Sequence, residues 1–313
     1  MANYRCTAAC RHCLYACSPE RTDGYISQDT AKSVCLLLRA AGCRSVHIGG
    51  GEPFLSFDGL LMLVRTAMET GVIVEYIETN GYWAGNRHET VRRLKELKRA
   101  GADTLCISFD PFHAEYVPID LPLSLADSCR EAGFRFFLWQ ERYYSMLSRL
   151  NGTRMYSRGE LEALLSPGYV LETARSYGLS MGGRALSIED EYSVREPTDS
   201  VTNNRSCNSL TSGNHFHVDM HGNYIPPGCT GITIPLCEAV QGIPEGNYPI
   251  YEKLLAGGSA ELLRYAVNAG FEVDAAGYTS SCALCCKIRH WFCEFSPSPE
   301  LDPEHYEQAV KYW

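Results

Sequence analysis

The 313-residue sequence predicts an α/β fold of parallel βαβ units, followed by a smaller C-terminal domain that contains several cysteines. Two observations lead to this fold class. Short apolar runs alternate with amphipathic helical segments over the first 186 residues, which is the pattern of βαβ units. Glycine and polar residues directly follow most of these runs, at the strand ends where barrel enzymes place their active sites. We expect domains at residues 1–186 and 187–313, with a polar linker over residues 187–206.

The predicted elements follow from local signals. Ser27 or Asp29 is suited to cap the first helix, and glycines end most of the others. Helices are expected at residues 27–41, 57–69, 88–100, 123–131 and 161–177, the last with a break at 167–168. Strands are expected at residues 43–48, 72–77, 104–109, 134–139 and 179–181, with a sixth near the first cysteines. The second region predicts a hairpin over residues 215–225, with its turn at 221–223, and helices at 250–256 and 260–269.

Composition narrows the class of protein. Fifteen cysteines are too many for ordinary core use, and without a recognisable secretion signal we expect them to be metal ligands in a reducing cytoplasm. The net charge of −9 and the lack of a long basic run argue against a nucleic-acid partner. No apolar run reaches the roughly 18 residues of a spanning helix, so no membrane partner is expected.

Three cysteines near the start of the chain, Cys6, Cys10 and Cys13, form a C-x3-C-x2-C run. Thiolates at this spacing can converge on one iron–sulfur cube. Because a [4Fe–4S] cluster usually takes four protein ligands, three would leave one iron open for chemistry. The alternative is a zinc site, whose fourth ligand Cys17 or His12 could supply.

The cysteine run and a later glycine turn together resemble the radical S-adenosylmethionine (radical SAM) superfamily. The turn, Gly50-Gly51-Glu52, follows the apolar run at residues 46–48. The resemblance implies a partial (β/α)6 TIM-like barrel and S-adenosyl-L-methionine bound to the open iron through its amino and carboxylate groups. One electron, from a donor such as flavodoxin or ferredoxin, then cleaves this cofactor to methionine and a 5′-deoxyadenosyl radical.

The same resemblance assigns residues to cofactor binding. The glycine turn and Glu52 are expected at the cofactor amino group, since glycines allow close backbone approach and a carboxylate suits an ammonium. A plain β-turn is the alternative. His12 stands where the family often has an aromatic residue near adenine. Further candidates, each with a structural role as the open alternative, are Asn80, Ser108, Asp110 and Arg184. His113, beside this site, could orient a substrate.

The C-terminal cysteines resemble the shortened auxiliary-cluster domain, known as twitch, a truncated SPASM domain. In that domain a Cys…Gly…Cys hairpin pairs with a later C-x2-C. The resemblance implies a small C-terminal auxiliary iron–sulfur cluster domain, whose second [4Fe–4S] cluster is bound by Cys207, Cys229, Cys282 and Cys285. Structural zinc on the same four thiolates is the alternative. Cys237, Cys286 and Cys293 are left over, and each could replace an assigned ligand.

Several further segments resemble the peptidyl radical SAM epimerases of epipeptide biosynthesis. The shared features lie at residues 6–19, 80–83, 108–113 and 281–285. The resemblance implies a ribosomal precursor peptide as substrate and partner, with epimerisation or radical cross-linking as the reaction. In such epimerases a cysteine beside an auxiliary ligand returns the hydrogen, but here Cys229 is followed by Thr230. Cys237 or Cys286 is therefore the predicted catalytic donor.

Two other functions remain open from the sequence. One is radical SAM chemistry on a small molecule or a folded protein. The other is a non-enzymatic scaffold that only binds zinc or an iron–sulfur cluster.

Overall fold

The computed structural model describes residues 1–166, 168–176, 182–203, 205–211 and 215–313. The chain divides into two compact units. The first unit comprises Met1–Cys10, Cys17–Tyr169 and Asp219–Gly222, and the second comprises Arg11–Ala16, Val170–Val218 and Asn223–Trp313. Part of the first cysteine run is therefore assigned to the second unit. The domain boundary predicted after residue 186 stays a prediction.

A parallel four-stranded sheet forms the centre of the first unit. Its strands are β1 (Ser45–Ile48), β2 (Ile73–Thr79), β3 (Thr104–Ser108) and β4 (Arg135–Trp139), hydrogen-bonded in the order β1-β2-β3-β4. The helices of this part of the chain are α1 (Gln28–Ala40), α2 (Phe57–Glu69), α3 (Arg87–Ala100), α4 (Pro111–Ala114), α5 (Asp120–Ala132), α6 (Tyr144–Leu147), α7 (Arg158–Leu164) and α8 (Tyr169–Ser176). Short 3-10 helices occupy Pro53–Leu55 and Glu141–Tyr143.

The predicted α/β class is confirmed, because each of the four strands pairs in parallel with the next and a helix lies between them in sequence. This arrangement fits a partial TIM barrel. The strand predicted at 179–181 lies outside the described residues. At the first cysteines the structure has a single parallel bridge between Arg5 and Ser18 in place of the sixth strand.

Local signals explain these elements. Ser27 caps α1 by accepting a hydrogen bond from the Thr30 amide, and Gly101, with a φ of 114°, ends α3 in the left-handed conformation. The apolar faces of the helices pack on the strands. Side chains with no exposed surface in this core include Leu60, Ile77, Leu94, Leu105 and Ile107. The core fixes the carboxyl ends of β2 and β3, where the candidate site lies.

The second unit contains a small antiparallel sheet and a group of helices. Its strands are β5 (His217–Val218), β6 (Asn223–Ile225) and β7 (Ile234–Pro235), in the order β5-β6-β7, so the predicted hairpin pairing is confirmed. The helices are α9 (Ala185–Tyr192), α10 (Thr198–Val201), α11 (Asn208–Thr211), α12 (Leu236–Gln241), α13 (Pro249–Asn268), α14 (Ser281–Phe295) and α15 (Pro303–Val310). Non-helical backbone at Gly257 and Gly258 divides α13 at the predicted gap between two helices.

The prediction of a linker over residues 187–206 is wrong. Helix α9 runs through its start and buries Leu186 and Ile188, and α10 follows. The acidic residues that follow Ile188 led to the prediction of an exposed linker. The apolar residues of the segment nevertheless lie on one side of a helix. None of the helices in the described part of the chain is long and apolar enough to cross a membrane.

Candidate active site

The glycine turn after β1 packs against the N-terminal segment of the chain. Backbone hydrogen bonds join Gly51 N–H to the Asn3 carbonyl at 2.8 Å and Glu52 N–H to the Arg5 carbonyl at 3.0 Å. A Cβ on Gly51 would lie 2.1 Å from the Arg5 carbonyl oxygen, so only glycine allows this approach. The turn therefore fixes the backbone directly before Cys6.

Glu52 is fully buried, and both of its carboxylate oxygens accept hydrogen bonds. One oxygen accepts from the Phe54 amide at 3.1 Å and the Thr79 hydroxyl at 2.9 Å, and the other accepts from the Asn80 amide at 2.8 Å. Burial raises the pKa of Glu52 to about 7, although these hydrogen bonds oppose the rise. Glu52 thus ties the glycine turn to the end of β2. Its predicted contact with the cofactor amino group stays a prediction.

Cys6 is surrounded by hydrogen-bond donors. Its Sγ accepts from the Ala8 amide at 3.4 Å and from Asn80 Nδ2 at 3.8 Å, and the same Asn80 nitrogen donates to Thr7 Oγ1 at 3.0 Å. N–H groups directed at sulfur are the surroundings that stabilise a metal-bound thiolate. The residues around Cys6 therefore fit an iron–sulfur ligand.

A small recess beside Asn80 has room for little more than a water molecule. Its polar lining comes from Asn80, Ser108, Asp110 and His113, so the structure brings together three of the predicted cofactor residues. They meet because β2 and β3 are parallel neighbours: Asn80 directly follows β2, Ser108 ends β3, and Asp110 lies two residues beyond β3.

In this recess the buried Asp110 pairs with the partly buried His113. The Asp110 carboxylate caps α4 through the His113 amide at 3.1 Å and also contacts His113 Nδ1 at 2.6 Å. Burial alone would lower the pKa of His113. The Asp110 carboxylate and the Cys10 thiol raise it by more, so the pKa of His113 lies well above its ordinary value. His113 therefore links the recess to Cys10, a predicted cluster ligand.

The remaining residues of the first cysteine run contact the Gly183–Arg184 segment within the second unit. The Cys13 carbonyl accepts the Arg184 amide at 3.1 Å, and a Cβ on Gly183 would lie 2.1 Å from the Leu14 carbonyl oxygen. Trp313 Nε1 donates to the Gly183 carbonyl at 2.9 Å. Arg184 is fully buried, with its guanidinium 5.2 Å from the centre of the Tyr312 ring. His12 is partly buried in the same run.

A second group of thiols lies within the second unit. We call Cys207, Cys229, Cys282, Cys285 and Cys286 the thiol cluster, because their sulfurs interact electrostatically with one another. Burial raises the pKa of Cys229 to about 11 and that of Cys282 to about 12, while Arg289 opposes both shifts.

The spacing of the thiol cluster bears on the choice of metal. Among the described residues, no three of these sulfurs lie within 4.8 Å of one another. Tetrahedral zinc bound to sulfur at 2.3 Å sets neighbouring sulfurs about 3.8 Å apart. Thiolates are ligands for both zinc and iron–sulfur clusters, so the second cluster, like its zinc alternative, stays a prediction.

Arg289 is a member of this site that the sequence prediction missed. It lies on α14 with 3% of its surface exposed. Its Nη2 donates to Cys286 Sγ at 2.8 Å, and its Nη1 donates to Cys229 Sγ at 3.5 Å and the Thr230 carbonyl at 3.0 Å. The sequence does contain a signal for it. Arg289 follows Cys286 by three residues and Cys285 by four, which places the three side chains on one side of a helix.

The two candidate hydrogen donors differ in their surroundings. Cys286 is 2% exposed and lies inside the thiol cluster, whereas Cys237 is exposed on α12. Cys293, the other spare cysteine, is partly buried near the end of α14. Their roles stay predictions.

Comparison with known proteins identifies the class of domain. Residues 3–137 match the family model described as the Radical SAM superfamily. This part of the chain is therefore similar to radical SAM superfamily domains, a family whose members bind S-adenosylmethionine and one [4Fe–4S] cluster. The matched region contains the cysteine run, the glycine turn and all of the recess lining except Leu147.

Curated relatives match about a third of this chain. The "Putative peptide biosynthesis protein YydG" of Bacillus subtilis is 25% identical over 113 residues, covering 36% of this chain and 35% of the relative. The "GTP 3',8-cyclase" of Lactiplantibacillus plantarum is 32% identical over 117 residues, covering 36% of this chain and 32% of the relative. These matches span about a third of the length of the curated relatives.

Two solved structures resemble the chain at low sequence identity. "Native anSMEcpe with bound AdoMet" has a TM-score of 0.41 and 14% identity, covering 99% of this chain and 93% of that one. "Crystal structure of HydG: A maturase of the [FeFe]-hydrogenase" has a TM-score of 0.35 and 14% identity, covering 99% and 80%.

Proposed function

We propose that this chain is a radical SAM enzyme that abstracts a hydrogen atom from a peptide, and that it carries a second iron–sulfur cluster. The observation that carries the radical SAM activity is the polar site around Cys6, within a region that matches the family model. The peptide substrate is supported separately, by similarity to a relative whose name describes peptide biosynthesis.

Cys6, Cys10 and Cys13 would hold the first cluster. When bound, the cluster and S-adenosylmethionine supply a 5′-deoxyadenosyl radical that abstracts hydrogen. Asn80 would keep Cys6 oriented, since its amide donates to both Sγ of Cys6 and Oγ1 of Thr7. Glu52 would hold the turn and the end of β2 together through its three accepted hydrogen bonds.

The polar residues around the recess would contact the polar part of the cofactor. Asn80, Ser108 and Asp110 offer donors and acceptors along its wall. Asp110 is held by His113, so its carboxylate is fixed before any ligand enters. A fixed polar wall orients a bound ligand without further ordering of side chains.

The thiol cluster would bind the second [4Fe–4S] cluster, with Cys207, Cys229, Cys282 and Cys285 as the proposed ligands. An external protein such as flavodoxin or ferredoxin would supply electrons. Cys237 or Cys286 would return a hydrogen atom in epimerisation, because a carbon radical must gain a hydrogen or lose an electron. A thiol that donates must be free of metal, since a ligating thiolate has no S–H.

Iron content and cofactor cleavage test the first cluster. We expect wild-type protein to bind about eight irons per chain, the content of two four-iron clusters. Alanine at Cys6, Cys10 and Cys13 should leave about four irons and abolish 5′-deoxyadenosine formation. Cys43→Ala, outside the cysteine run, is the control and should leave both unchanged. Cofactor cleavage retained by the triple variant would refute the assignment.

Mass spectrometry with a cognate peptide in deuterated water tests the reaction. One deuterium gained per modified residue indicates epimerisation, because an exchangeable thiol supplies the returning atom. Loss of two hydrogens indicates a cross-link. A short reading frame beside the gene would be the first source of candidate peptides. No change in any such peptide, with cofactor cleavage intact, would contradict a peptide substrate.

A small-molecule substrate is the second candidate function. The observation that favours it is the 32% identity to two GTP 3',8-cyclases, over 117 residues each. Incubation with GTP under reducing conditions distinguishes the two functions. Consumption of GTP that depends on S-adenosylmethionine would support the second candidate.

A further inference from the structure

Helix α14 presents cysteines and an arginine on one side. Cys282, Cys285, Cys286 and Arg289 follow one another at the spacing of i, i+3, i+4 and i+7, which is one face of an α-helix. Three of these residues are predicted from the cysteine pattern alone. The arginine is not a feature of a thiol site in general, because burying a cation is costly unless it is compensated.

Sulfur surrounds the buried guanidinium. Arg289 donates to Cys286 Sγ at 2.8 Å and to Cys229 Sγ at 3.5 Å, and its Nε donates to the Cys285 carbonyl at 3.4 Å. The Tyr306 ring lies on another side of the guanidinium, 5.6 Å from its central carbon. In the part of the chain that the structure describes, no carboxylate pairs with this guanidinium.

We propose that Arg289 raises the reduction potential of the second cluster, through its charge and its hydrogen bond to the sulfur of Cys229, a proposed ligand. This inference rests on the second cluster of the proposed function. Reduction adds one electron to the cluster, so the reduced state carries more negative charge than the oxidised state. A fixed cation and N–H donors at the sulfurs stabilise the reduced state more, which makes reduction easier.

Arg289 acts here as a positioning residue, since it touches the sulfur of the proposed ligand Cys229 and the neighbouring sulfur of Cys286, and not the substrate. Its contacts to the Thr230 and Cys285 carbonyls hold the guanidinium in place. The Tyr306 ring covers it on another side. The cation is therefore held at the sulfurs by groups that do not change charge with the cluster.

The test is a redox titration of the anaerobic, iron-loaded full chain. Dithionite supplies one electron per cluster, and electron paramagnetic resonance measures the reduced fraction. The triple alanine variant of the first cysteine run identifies which signal belongs to the second cluster. Arg289→Met removes the charge at similar length, and Arg289→Lys keeps the charge but loses the planar fork.

We expect Arg289→Met to lower the reduced-to-oxidised ratio of the second cluster at least tenfold at a fixed potential, which corresponds to 59 mV for one electron. Arg289→Lys should lower the ratio by less. Arg264→Met is the control, because Arg264 is an exposed arginine of the same unit that pairs with Glu261. It should leave the ratio unchanged.

Three outcomes separate this inference from the proposed function. About four irons in the wild-type protein would refute the second cluster itself. Normal iron content in Arg289→Met with a ratio within twofold of wild type would refute the role of Arg289 and leave the second cluster standing. If Arg289→Met fails to bind the second cluster, Arg289→Lys decides: an unchanged ratio overturns the inference, and a lowered ratio supports it.

Discussion

Replacing Glu52 by glutamine should loosen the end of β2 in a measurable way. Glutamine offers one oxygen where glutamate offers two. Whichever way its amide turns, the Phe54 or the Asn80 amide faces an N–H₂ group and loses its acceptor. A buried donor left without a partner costs about 1–3 kcal/mol. If the free energy of local opening falls by this amount, the affected amide hydrogen should exchange with solvent about 5- to 150-fold faster.

Hydrogen exchange read by mass spectrometry measures this directly in anaerobic, iron-loaded protein. Peptides covering residues 52–55 and 79–82 report the two amides, and the rest of the sheet reports global changes. Glu131→Gln is the control, since Glu131 forms only an exposed ion pair with Arg87. Less than a twofold change in both peptides of Glu52→Gln would refute the idea that this carboxylate holds the turn to the strand.

The same carboxylate predicts a dependence on pH. Burial raises the pKa of Glu52 from 4.5 to about 7. Between pH 4.5 and about 7 the Glu52 carboxyl is therefore protonated in the folded state and ionised in the opened state. Its contribution to stability is complete below about pH 4.5 and is lost as the pH rises through about 7. The loss amounts to about 3 kcal/mol, at about 1.4 kcal/mol for each step of one in pKa. Hydrogen-exchange rates are first corrected for the intrinsic effect of pH on amide exchange. The protection of residues 79–82 from exchange should then fall between about pH 4.5 and 7 in the wild type, and should not fall in Glu52→Gln.

Two further predictions concern the turn and the hydrogen donor. Gly51→Ala should reduce the iron content of the first cluster and lower the melting temperature, because the added Cβ would lie 2.1 Å from a backbone atom. Gly85→Ala is the control and should change neither, because its Cβ would have its nearest neighbour at 3.8 Å. Equal iron content and melting temperature in both variants would contradict this. Serine at the donor, Cys237 or Cys286, should leave 5′-deoxyadenosine formation intact and stop product formation. Wild-type product yields from both single variants would exclude both thiols and favour cross-linking.

The first site was largely predictable because its signals are local. A strand followed by a polar residue can be read from the sequence, and parallel strands bring their carboxyl ends to one edge. Asn80, Ser108 and Asp110 meet at the recess for this reason. The pairing of His113 with Asp110 also follows from a local rule, since residues three apart are neighbours in a helical turn.

The role of the glycine turn was harder to foresee. Sequence reasoning explains glycine by the approach of a ligand, but in the structure the Arg5 carbonyl fills the space beside Gly51. That contact joins residues far apart in the chain. The same holds for Glu52, whose partners at Thr79 and Asn80 become visible only when β1 and β2 are paired. Long-range packing of this kind leaves no periodic signal.

The second site shows what a search for ligands alone overlooks. Cysteines indicate a metal by their number, so the pattern directs attention to sulfur and away from the helix that carries it. Once Cys285 and Cys286 are placed on α14, Arg289 must lie on the same face, one turn further along. A buried cation there needs negative charge close by, and the nearest groups able to provide it are the sulfurs of Cys286 and Cys229. A metal-bound set of thiolates supplies that charge permanently, whereas neutral thiols would leave the guanidinium uncompensated. The arginine therefore supports the proposed second cluster by an argument that does not depend on the number of cysteines.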